Sequence, residues 1–78
     1  MDLHVKEFIV VVNDKERTGI KTLEKAIDAW NDGVYGLVGA TGGIKVVTGG
    51  LFDGSWVMQV TEGSTYIYPR LASIEVDG

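Results

Sequence analysis

Glycine is the residue whose spacing first suggests chemistry in this chain. Nine of its eleven glycines fall between Gly33 and Gly63, and the stretch Gly39-Ala-Thr-Gly-Gly43 concentrates them further. A glycine-rich backbone can turn several N–H groups toward an anion, which makes Gly39, Thr41, Gly42 and Gly43 a candidate ligand loop. A phosphate loop, however, requires a Lys-[Ser/Thr] pair after the last glycine and a helix behind it. Here Gly43 is followed by Ile44 and then Lys45, in a strand-like context. The dinucleotide fingerprint fails for the same reason. The plainer expectation is a connection between two strands.

A second group is acidic. Glu24, Asp28 and Asp32 repeat every four residues and share one side of a helix. Such a row can face a divalent cation, but Lys21 and Lys25 stand beside it and can pair with it at i, i+3. A solvated helix face is the expectation, with no metal site. The single histidine, His4, has no assignable partner for general-base work. Ser55, Ser64 and Ser73 lack a nucleophile-elbow context, and Asp53 in Leu51-Phe-Asp-Gly54 reads as a turn residue. No catalytic set emerges, no cofactor is implied, and a non-enzymatic protein is expected.

The third group is aromatic. Trp56, Met58, Tyr66, Tyr68 and Arg70 lie on two consecutive strand-like segments, Ser55–Thr61 and Thr65–Tyr68. A three-residue loop Glu62-Gly63-Ser64 would place Val60 opposite Tyr66, Met58 opposite Tyr68 and Trp56 opposite Arg70, all on one side. Gln59 would then face Ile67. Trp, Tyr and Arg dominate binding hot spots, so this face is a candidate interface. Covered by the helix through Trp30, the same residues would be ordinary core.

The elements that must position these residues follow from periodicity. Val5–Val12 reads as a strand that is apolar on both faces. Asn13–Thr18 reads as a polar connection. Ile20, Leu23, Ile27 and Trp30 form one stripe of a helix over Ile20–Asp32, with Thr18 or Thr22 as its cap and Gly33 as its stop. The period then changes to two. Val34–Val38, Ile44–Thr48, Ser55–Thr61, Thr65–Tyr68 and Leu71–Val76 are strand candidates, with Gly49-Gly50 a bulge or turn. Pro69 belongs at an edge or corner.

Length and charge bound the rest. Seventy-eight residues without cysteine make one domain over 1–78 with a thin margin of stability and no disulfide or thiolate site. The net charge of −4 argues against nucleic acid, whose binding needs a basic patch. Residues 1–25 balance to zero, so the whole deficit falls in residues 26–78. No signal peptide is visible, and the longest apolar run, Phe8–Val12, is too short to cross a bilayer; a cytoplasmic location is expected.

The fold expected is α+β in the order β-α-β-β-β-β, one helix on a bent, mainly antiparallel sheet. The alternative is a small SH3-like or Sm-like barrel over residues 34–77 with an appended N-terminal strand and helix. One helix cannot cover both faces of such a sheet. The functional expectation is therefore a self-associating accessory or regulatory protein, a homodimer or larger, that presents a sheet face or edge to a protein partner. The alternative is a small-ligand or nucleotide-binding domain built on residues 36–43.

Overall fold

A computed structural model describes residues 5–48, 54–62 and 64–68. It shows one helix packed on a five-stranded antiparallel sheet, an α+β fold as expected. The elements are β1 (Glu7–Val12), β2 (Lys15–Ile20), α1 (Leu23–Val34), β3 (Gly42–Val47), β4 (Trp56–Thr61) and β5 (Ser64–Ile67). The sheet order is β2-β1-β3-β4-β5. The order along the chain, β-β-α-β-β-β, thus differs from the expected one in where the second strand falls.

The polar connection expected over Asn13–Thr18 is mostly strand. Only Asn13 and Asp14 form the connection, with φ of 48° and 70°. Positive φ at both central residues is the signature of a type I′ turn, whose twist matches a tight hairpin. Lys15–Ile20 then returns as an edge strand beside β1, so Ile20 ends a strand and does not start the helix. β2 carries a bulge where Thr18 and Gly19 oppose Ile9. Gly19 takes φ 77°, and its N–H donates to the Glu7 carboxylate.

The helix begins one turn later than expected. Thr22 is its N-cap, its hydroxyl accepting from the Lys25 N–H at 3.1 Å. Its inward stripe is Leu23, Ala26, Ala29 and Trp30; Ile27 lies at the exposed margin. Gly33 is not the stop, because the helix runs on through Val34. Its absent side chain serves packing: a Cβ there would come within 2.9 Å of a Val12 methyl. Val34–Val38 is therefore helix end and loop, not strand, with the reversal made at Gly36 (φ 78°).

The core is the layer between helix and sheet. It is built from Val5, Phe8, Val10, Ala26, Ile44, Val46 and Val57, with Val12, Ile20, Leu23 and Met58 packed around it. β1 lies second in the sheet, between β2 and β3, and gives Phe8 and Val10 to the core, so the N-terminal strand is integral and not an appendage to a barrel over 34–77. Its second face is apolar too, as the sequence predicted: Ile9 is half-buried and Val11 is buried. That face has no helix over it among the described residues.

β3 docks on β1 in continuous register from Glu7↔Val47 to Val12↔Gly42. Asn13 fixes the end of this ladder. Its N–H donates to the Thr41 carbonyl at 2.8 Å, and its side-chain oxygen accepts from the Thr41 N–H at 3.0 Å. The expected loop Gly39–Gly43 is correspondingly shorter, since Gly42 and Gly43 already belong to β3.

Candidate functional site

Two irregularities decide which side chains share the uncovered face. On β3, Ile44 pairs with Met58, whereas Lys45 pairs with Trp56, so β4 holds one extra residue at this point. Such a bulge lets residues of unequal parity reach the same side of a sheet. Ile44 is in the core and Lys45 alternates to the far face; Trp56 follows Lys45 there, while Val57 and Met58 pack with the core. The Lys45 ammonium sits 4.8 Å from the centre of the Trp56 ring, within cation–π range.

The second irregularity is the β4–β5 register. Thr61 pairs with Ser64, Val60 with Thr65, Gln59 with Tyr66 and Met58 with Ile67. The hairpin loop is therefore two residues, not the three expected, and every pairing is displaced by one. Because side chains alternate with period two, this slip turns β5 over. Tyr66 joins Gln59 on the uncovered face and Ile67 joins Met58 on the other. The Tyr68 hydroxyl donates to Gln59 Oε1 at 3.1 Å, placing the second tyrosine with the first.

Trp56, Tyr66 and Tyr68 thus share one face, as expected, but with different neighbours. Met58 leaves the set for the core side; Lys45 and Gln59 replace it. Neither was singled out in the sequence, and the bulge that brings them in has no sequence signal of its own. Arg70, like His4, Asp53, Pro69, Ser73, Gly49-Gly50 and the strand expected over Leu71–Val76, lies outside the described residues. The face also holds a depression of about 330 Å³ floored by Val11 and walled by Trp56, Lys45, Gln59 and Glu16. β5 carries no charged residue, and Tyr66 and Ile67 are 51% and 62% exposed. Its outer edge has no strand partner among the described residues.

The glycine loop divides. Gly42 and Gly43 have φ of 133° and 144°, and a Cβ on either would overlap a carbonyl oxygen of a neighbouring strand, that of Val11 or Met58 respectively. Their lack of a side chain is needed for strand contact. Only Gly39, with φ 71° and open space around it, retains the freedom of a loop glycine; Thr41 is tied to Asn13.

The acidic helix row is solvated. Glu24, Asp28 and Asp32 are exposed, and Asp32 pairs with Arg17 at 3.6 Å. Among the described residues no group of three His, Asp or Glu side chains is placed to hold a metal ion, and no polar or charged residue is buried. No helix of the described residues is long and apolar enough to cross a membrane. No family model matches the chain, and no curated protein or solved structure matches it.

Proposed function

We propose that this domain is a non-enzymatic interaction module that self-associates and presents its uncovered sheet face, with the adjoining β5 edge, to a protein partner. The observation that carries this reading is the placement of Trp56, Tyr66 and Tyr68 together on a face that no helix covers among the described residues, next to β5, an uncharged strand at the edge of the described sheet. Aromatic side chains give large contact areas at low entropic cost, and they are typical anchors of interfaces. An unpaired edge supplies main-chain N–H and C=O groups for strand addition. The two edges of the sheet differ: β2 carries Lys15, Glu16 and Arg17, which discourage pairing, whereas β5 carries none.

The test is Tyr66→Ser combined with Tyr68→Ser. Tyr66 is 51% and Tyr68 39% exposed and neither packs in the helix-side core, so the double variant should keep the fold. Light scattering on eluting protein should give a mass above the 8.4 kDa of one chain for the parent, falling to one chain for the variant. A parent that stays at one chain up to the highest attainable concentration refutes self-association. An oligomer that survives both substitutions places the interface elsewhere.

A further inference from the structure

Among the described residues, the helix side of the sheet is not fully covered either. α1 lies chiefly over β1 and leaves β2 largely open. In that gap Val10 and Val12 form the floor of a groove of about 390 Å³, with Ala29 and Gly33 of α1 and the loop residue Leu37 as its walls. Lys15 and Arg17 stand at its rim. The register explains their position: Val12 pairs with Lys15 and Val10 with Arg17, so each cation is on the same face as a floor valine. Gly33 keeps the groove open, because any larger residue there would press against Val12.

The rim is cationic on a chain that is acidic overall. Lys15 has no carboxylate partner among the described residues. Arg17 has Asp32 at 3.6 Å, but both are well exposed, 60% and 75%, so the pair is weak and exchangeable. The apolar surface also runs past the groove, since Leu37 is 49% exposed and its neighbour Val38 fully so. A small carboxylate would fill the groove and leave that extension bare; a peptide covers both.

We propose that the groove receives an acidic peptide segment of a partner protein, one in which apolar side chains are flanked by carboxylates. An apolar side chain packs on Val12, Ala29 and Leu37. One carboxylate meets Lys15, and another replaces Asp32 at Arg17. Nucleic acid fits poorly, because its phosphates would meet an apolar floor on a chain of net charge −4. This site is separate from the aromatic face and does not depend on it.

The test uses fluorescein-labelled Glu-Asp-Leu-Leu-Asp-Glu against the intact chain. Two controls accompany it: Glu-Asp-Gly-Gly-Asp-Glu, which keeps the charge, and Lys-Lys-Leu-Leu-Lys-Lys, which reverses it. The first should bind saturably, with each control weaker by about tenfold or more. Lys15→Glu with Arg17→Glu should weaken binding by a similar factor while circular dichroism stays unchanged, as should Ala29→Leu, which fills the groove. Amide resonances of Ala29, Gly33 and Leu37 should shift on titration. Tyr66→Ser with Tyr68→Ser should leave this binding intact, so its outcome is independent of the sheet-face reading. Absence of saturable binding, equal binding of the glycine control, or indifference to the rim reversal would each overturn the proposal.

Discussion

Gly43→Ala tests whether the central glycines are structural. The new Cβ would overlap the Met58 carbonyl oxygen, and the residue would have to hold φ near 144°. Strained φ costs about 1–3 kcal/mol, and forcing extra volume into a packed site costs about 1–3 kcal/mol more. A chain of 78 residues at about 0.05–0.15 kcal/mol per residue has about 4–12 kcal/mol in all. The substitution therefore removes a large share, and at about 4–8 °C per kcal/mol the melting temperature should fall by at least about 10 °C. Gly39→Ala is the matched control. It has φ 71° but no atom within 4 Å, so its loss should stay near the about 1–2 kcal/mol of a left-handed residue alone. Thermal and urea unfolding of both variants gives the comparison. If Gly43→Ala is no less stable than Gly39→Ala, the close approach of β3 to β4 is wrong and the ligand-loop reading of Gly42 and Gly43 regains its footing.

Two further substitutions test local geometry. Asp14→Gly relieves a residue held at φ 70° and should raise stability by about 0.5 kcal/mol after the entropic penalty of glycine; a lower urea midpoint would contradict the turn assignment. Thr22→Ala removes the acceptor of the Lys25 N–H and should lower stability by about 1 kcal/mol, read as a fall of several degrees in the melting temperature; an unchanged value would show that the helix does not start there.

Much of this fold was legible because burial imposes a pattern. The Phe8–Val12 run marked a strand apolar on both sides, Leu23 and Trp30 marked the helix, and alternation over 55–61 and 65–68 marked the last hairpin. β2 was not legible because nothing required Lys-Glu-Arg-Thr-Gly to alternate: an edge strand over an incompletely covered groove can be polar throughout. Its terminal Ile20 falls three residues before Leu23 and so joined the helical stripe. Gly33 suggested a helix end, yet its role lies in Val12, a residue 21 positions earlier that local pattern cannot reveal. For the site, residue types were informative and register was not. A two-residue loop and a three-residue loop are both compatible with Glu62-Gly63-Ser64, and they put Tyr66 on opposite sides of β4, with Gln59 in the first case and with Met58 in the second.

The double contact between Asn13 and Thr41 has a kinetic meaning. The β1–β2 and β4–β5 hairpins and the helix form from residues close in sequence, whereas β1 and β3 must find each other across some thirty residues. That closure is the entropically expensive step, and long-range pairing of this kind sets the pace of folding. Asn13 sits at the hairpin turn, on the element that forms early, and holds the residue just before β3. It is thus placed to fix the starting point from which β3 zips onto β1. Weakening it should slow folding more than it speeds unfolding, the reverse of what a change at the β5 edge should do.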